Sequence, residues 1–287
     1  VSGRPLTIAV TGLNATDNPG PGVPVLRSLR ANARAGERYV GLTYDALDPG
    51  VYARGLADRV FLLTYPSAGA RAFLARLASI HASASMDVII PTLDAELPLF
   101  IALEPELRAM GIALFIPSAA QLELRGKAQL AALGRAAGFE VPRTAIVSTA
   151  EDIARAEGDV RYPLYVKGPY YGATLVTCRS EAIAAFYRVL AAWGGPVILQ
   201  ASVRGDEVNL VGVGDGAGGL LGPVVMTKLA LTDKGKGWAG VTIRDEALVD
   251  VAARLVAATR WRGPLEVEAL RAADGRHHVI EINPRFP

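Results

Sequence analysis

Over its first 118 residues the chain repeats one pattern, a short apolar run followed by a longer stretch whose apolar residues recur three and four apart. The runs LTIAVTG (6–12), YVGLTYD (39–45), RVFLL (59–63), DVIIPT (87–92) and IALFIPS (112–118) have the length of buried strands. Between them, VPVLRSLRANARAG, AGARAFLARLASIHA and AELPLFIALEPELRAMG have helical period. The alternation predicts parallel strands joined by crossover helices, a small doubly wound α/β domain over residues 1–118. In such a sheet a ligand crevice opens past the carboxyl ends of the strands. Two segments fall there: TGLNATDNPGPGVPV (11–25), which lacks the G-x-G-x-x-G of a dinucleotide fold, and PTLDAELP (91–98), whose Asp94 and Glu96 either cap the next helix or face a ligand.

From residue 119 the rhythm changes. SAAQLELRGKAQLAALGRAAGFEVP reads as two helices broken near Gly126, the second closed by Pro142. Then come a strand YPLYVKG (162–168), a helix SEAIAAFYRVLAAWG, paired strands PVILQASV and DEVNLVGVGDG, a further pair around LLGPVVMTKLALT, and a helix DEALVDVAARLVAATRW. Adjacent, hairpin-linked strands give this half an α+β character and mark it as a second domain, 119–287. A 51% hydrophobic and 20% charged chain buries enough to fold. Its longest apolar runs fall short of the roughly 18–20 residues of a membrane span, and no secretory pattern is visible, so the expectation is a cytoplasmic protein. Cys178, the single cysteine, has no disulfide partner, and 30 basic against 28 acidic residues leave no nucleic-acid footprint.

The most informative segment is the last. Asp274-Gly275 has the composition of a two-residue hairpin turn between GPLEVEAL and HHVIEINPR. With that turn, Glu268 lies opposite Glu281 and Glu266 opposite Asn283, and all four project from one face. Like charges directly opposite each other are destabilising unless a cation resolves them. Carboxylate and amide oxygens are hard ligands suited to Mg²⁺, which commonly takes one or two protein carboxylates and substrate phosphates. His277 reads as a solvated residue beside the turn.

GPLEVEAL…DGRHHVIEINPR resembles the closing metal-binding motif of the ATP-grasp superfamily, and LRGKAQL, YPLYVKG and VILQASVRGDEVNL supply the family's other elements in order. The likeness is nearest to the branch of the large subunit of carbamoyl phosphate synthase. It implies an α/β domain followed by a two-lobed ATP-grasp domain, with a first lobe over 119–200 and a second over 201–287 that is truncated at its C-terminal end. It implies that Lys127 and Lys167 neutralise ATP phosphates, that Gln200, Ala201 and Val203 form the hinge reading adenine, and that Glu207 takes the ribose hydroxyls. Glu268, Glu281 and Asn283 match the Mg²⁺ (or Mn²⁺) ligands, and Arg285 matches the arginine at the transferred phosphoryl group. GPYYGATLV (168–176) stands where the family has a glycine-rich lid, and TDKGKGWAG (232–240), with Lys234 and Lys236, is either a basic substrate loop or a surface loop. Lys228, on the strand before it, is equally open. The implied activity is an ATP- and Mg²⁺-dependent carboxylate–amine ligase that passes an acyl phosphate to an amine. The rivals are a carboxyphosphate- or carbamoyl phosphate-forming enzyme and a non-catalytic ATP-binding regulator. Small carboxylates and amines are the implied partners, with a homodimer open and no nucleic acid or membrane.

Overall fold

The computed structural model describes residues 4–15, 20–168, 172–231 and 237–287. The chain forms two compact units, one of residues 1–119 with 262–264 and 284–287, the other of residues 120–261 with 265–283.

The first unit holds β1 (Thr7–Val10), α1 (Gly22–Ala31), β2 (Arg38–Thr43), β3 (Arg59–Leu62), α2 (Ala70–Ala84), β4 (Val88–Ile90), α3 (Leu97–Ala102), α4 (Glu104–Ala109) and β5 (Ala113–Leu114). All strand pairs are parallel, in the order β3-β2-β1-β4-β5. The side-chain period of two assigns the faces: Ile8 and Val10 pack with Leu26 of α1, whereas Ala9 packs with Phe73 and Leu77 of α2. Burial on both faces is why β1 reads as an unbroken apolar run. Chain order reverses between β1 and β4, the switch point at which open α/β sheets bind ligands. Gly22, the first residue of α1, is required there, because a Cβ would stand 1.9 Å from the Thr11 carbonyl oxygen. Residues 16–19 of the long first loop lie outside the described residues.

The second unit begins with α5 (Ala119–Leu124) and α6 (Leu130–Ala137), followed by β6 (Thr144–Val147), α7 (Ala150–Ala156), β7 (Leu164–Lys167), β8 (Ala173–Val176), α8 (Arg179–Trp193) and β9 (Val197–Ala201). Then come β10 (Gly205–Asp215), β11 (Leu220–Leu231), β12 (Gly237–Ile243), α9 (Glu246–Thr259), β13 (Arg262–Ala272) and β14 (His277–Asn283). They make two sheets, β6-β9-β7-β8 and β12-β11-β10-β13-β14. The expected pairing of PVILQASV with DEVNLVGVGDG is therefore wrong. β9 lies between β6 and β7, and the chain crosses to the other sheet over residues 202–204. β6 and α7 are additions to the expected elements, although Thr149 and Asp152 form a reciprocal capping box whose spacing is legible in STAED. β8 occupies Ala173–Val176, so the end of the expected lid is a strand paired to β7, while Pro169, Tyr170 and Tyr171 lie outside the described residues. α6 also departs from the lobe boundaries. Leu130, Leu133 and Ala137 join the core of the five-stranded sheet with Leu248, Leu255 and Trp261, although in sequence they fall within 119–200. The helix ends on Gly138, in the left-handed conformation, rather than at Pro142. No helix among the described residues is long and apolar enough to cross a membrane.

Candidate functional site

The β13–β14 hairpin pairs Glu266 with Asn283 and Glu268 with Glu281, as the sequence suggests, but not through the turn that the sequence suggests. The Ala272 N–H bonds the Arg276 carbonyl at 2.9 Å, leaving a three-residue loop with Gly275 at φ 83°, the left-handed position of that turn type. Such a loop by itself would put Glu268 opposite Ile280. A bulge between the Glu268–Glu281 and Ala269–Val279 pairs takes up one residue and restores the register at the acids. It also lets Val279 and Ile282, three apart, both enter the core with Leu265, Val267 and Ala269. Glu266, Glu268, Glu281 and Asn283 are left on the opposite face. The same bulge moves His277 off their face. His277 is buried, 6% exposed, with Nε2 at 2.8 Å from Asp245, and is not a solvated turn residue.

On this face Glu268 and Glu281 are compensated by two lysines and an amide. Glu268 Oε1 accepts from Asn283 Nδ2 at 3.0 Å and Oε2 accepts from Lys228 Nζ at 2.9 Å. Lys228, its side chain 6% exposed, also reaches Glu207 at 3.1 Å, and Lys127 stands 3.4 Å from Glu281. Burial opposes the charge of Lys228, but Glu268 and then Glu207 outweigh it and hold its pKa above the ordinary lysine value. The structure thus joins Glu207, expected to serve a ribose, to Glu268 through a lysine that the sequence left undecided.

Lys167, the last residue of β7, donates to Gln200 Oε1 at 2.6 Å. Burial lowers its pKa to about 8, helped by Lys127 and opposed by Glu281, Glu268 and Glu207. Gln200 completes the link by donating to Thr144 Oγ1 at 3.3 Å. Its side chain therefore holds a lysine, and the Ala201 N–H is bonded to the Arg143 carbonyl at 2.8 Å. Val203 lies in the segment leading out of β9.

Arg285 falls in the first unit, where its Nε donates to Asp94 Oδ2 at 2.8 Å. Glu96 occupies the N-cap position of α3, but its side chain makes no cap bond and turns inward. It is fully buried at the β1–β4 switch point, with Oε1 accepting from the N–H groups of Thr92 (2.8 Å) and Leu93 (2.9 Å) and from the Thr11 hydroxyl, and Oε2 from Tyr44 (2.5 Å). Lys234 and Lys236 lie outside the described residues.

Glu268, Glu281 and the carbonyl oxygen of Asn283 form a hard-oxygen set. No three His, Cys, Asp or Glu groups converge as a metal cage among the described residues. A set of two carboxylates and an amide fits a cation that completes its shell with water and phosphate oxygens.

No protein-family model matches the chain, and no curated protein matches it in sequence. Solved structures do. The L-amino acid ligase from Bacillus licheniformis superposes with a TM-score of 0.70 at 17% identity, over 99% of this chain and 68% of its own. The biotin carboxylase domain dimer of the Hydrogenobacter thermophilus 2-oxoglutarate carboxylase, in complex with MgADP, ADP and bicarbonate, gives 0.69 at 16% identity over 98% and 64%. Pyruvate carboxylase from Rhizobium etli gives 0.70 at 20% over 98%, but this chain spans only 25% of that one. The chain has the ATP-grasp fold.

Proposed function

We propose that the chain is the nucleotide-binding part of an ATP- and Mg²⁺-dependent carboxylate–amine ligase. The observation that carries the reading is the joining of Lys127, Lys167, Lys228, Glu207, Glu268, Glu281 and Asn283 on one face, on a fold shared with the L-amino acid ligase and the MgADP-bound biotin carboxylase domain. Glu268, Glu281 and Asn283 would hold Mg²⁺ or Mn²⁺, which when bound supplies charge neutralisation at the phosphates. Lys127 and Lys167, compact ammonium donors on flexible stems, bind the phosphates and spread the charge that develops in phosphoryl transfer. Lys228 keeps Glu207 and Glu268 together, so the acid for the ribose and the acid for the cation are set in one piece. With the Gln200 side chain committed to Lys167 and the Ala201 N–H to Arg143, reading of the adenine edge falls to the Ala201 carbonyl and the backbone of Val203. Arg285 meets the acyl phosphate oxygens, where a planar fork is suited to the charge. The α/β unit and the ATP-grasp unit act as two domains of one enzyme. The reading involves no nucleic acid or membrane, and a homodimer is open, as the neighbouring biotin carboxylase domain is a dimer.

The bicarbonate in the biotin carboxylase domain favours one second reading, formation of carboxyphosphate. The test is ADP release with MgATP over panels of carboxylates and amines, with bicarbonate as a separate arm. Turnover requiring both an acid and an amine supports the ligase. Turnover on bicarbonate alone replaces it with the second reading, and nucleotide binding without turnover in any arm refutes both.

A further inference from the structure

Glu266 has no part in the reading above. It is 4% exposed, two residues before Glu268 on β13 and opposite Asn283. Each of its oxygens accepts from a side-chain amide: Asn209 Nδ2 donates to Oε1, and Asn283 Nδ2 donates to Oε2 at 2.9 Å. The same Asn283 nitrogen donates to Glu268 Oε1 at 3.0 Å. An asparagine amide has two N–H donors on one nitrogen, and here both are directed at carboxylates of β13. With both bonds made by the nitrogen, the oxygen is the part of the amide left outside them.

An ionised carboxylate accepts and never donates, so it tolerates only one of the two orientations of an amide beside it. A serine, glutamine or water in that place would permit both. We propose that Glu266 is a positioning residue that fixes the Asn283 amide so that its carbonyl oxygen, not its NH₂ group, is offered to a divalent cation. The proposal rests on the Mg-ATP reading, for which an asparagine turned the wrong way would present a donor to a cation. It also accounts for asparagine rather than aspartate at 283: a carboxylate there would face Glu266 and Glu268 with no donor between them. Outer groups that orient a metal ligand commonly affect metal affinity about 10- to 100-fold. The competing account is that Glu266 only ties β10 to β13 through Asn209, with Asn283 indifferent to it.

Moving the negative charge from 266 to 283 separates the two. In Glu266→Gln/Asn283→Asp, the introduced glutamine still accepts from Asn209, and its NH₂ group now donates to the introduced aspartate, which keeps an oxygen for the cation. Mn²⁺ affinity in the presence of a non-hydrolysable ATP analogue, measured by electron paramagnetic resonance, is expected to fall about tenfold or more in Asn283→Asp. In the double variant it should return to within about twofold of wild type. Equal losses for Asn283→Asp with and without Glu266→Gln would overturn the proposal. A metal-free measurement stands apart from the Mg-ATP reading: in the wild-type chain both side-chain amide protons of Asn283 should exchange slowly by NMR, and at least one should accelerate in Glu266→Leu. Exchange of both at the free-amide rate in the wild type sinks the proposal whether or not metal binds. Slow exchange with no Mn²⁺ binding sinks the Mg-ATP reading and leaves the amide held.

Discussion

Two regions of this molecule gather hydrogen bonds on carboxylates, one buried and one half-buried, and they satisfy them with different donors. At the switch point of the parallel sheet, Glu96 is held by two backbone N–H groups of its own loop and by the hydroxyls of Thr11 and Tyr44, all neutral. Burial pushes its pKa up against the pull of those donors. On the β13–β14 face, Glu268 and Glu281 are met by ammonium groups on long side chains. Fixed neutral donors leave nothing to exchange, and Glu96 works as a clamp holding the 91–96 loop to β1. Lysines can swing to other anions and leave their carboxylates to another cation, which is what the proposed nucleotide site requires. The mobility and charge of the donors thus separate the two acids as clearly as their burial does.

The comparison breaks if both acids behave alike. The largest expected effect is at the hairpin: Glu281→Gln should lower ATP turnover on the order of a hundredfold while the far-ultraviolet spectrum and melting temperature stay near wild type. Glu96→Leu should do the reverse. It strands buried N–H and hydroxyl donors and should cost about 2–4 kcal/mol in urea unfolding, with MgATP affinity retained wherever the chain remains folded. Next, Lys228→Gln leaves Glu207 and Glu268 without their shared cation and should destabilise the metal-free protein by about 1–3 kcal/mol. Added Mn²⁺ should recover much of that loss, and a loss indifferent to Mn²⁺ would make Lys228 a structural residue like Glu96.

The smallest effect is a pH dependence. Lys167 titrates near pH 8 in the empty protein because burial disfavours its charge, and a bound triphosphate favours that charge. MgATP affinity should thus be flat below pH 8 and weaken above it, with proton uptake on binding near pH 8 visible as a buffer-dependent calorimetric enthalpy. Lys167→Arg should flatten the profile. For stability the sign follows from the lowered folded pKa. The unfolded chain binds more protons between about pH 8 and the ordinary lysine value, so the cost of Lys167 is full below pH 8 and is relieved as the pH rises through that window. Lys167→Met should accordingly melt above wild type at neutral pH although it cannot bind phosphate.

The sequence by itself determined the parallel character of the first sheet, because β1 and β2 must be apolar on both faces to sit between helices, and residue order then reads directly as strand and helix. It also determined which residue types crowd the last hairpin. What it left open is non-local. The two-residue turn inferred from Asp274-Gly275 is one residue short, and the bulge at Ile280 compensates for it. That bulge lies where the Val279 N–H bonds the Glu140 carbonyl at 2.8 Å, a partner from beyond α6 that no local pattern announces. Likewise the membership of β9 in the smaller sheet, the bridging of Glu207 to Glu268 by Lys228, and the direction of the Asn283 amide depend on strands remote in sequence. Periodicity constrains which side of its own strand a side chain takes. Only the packed strands decide what it meets there.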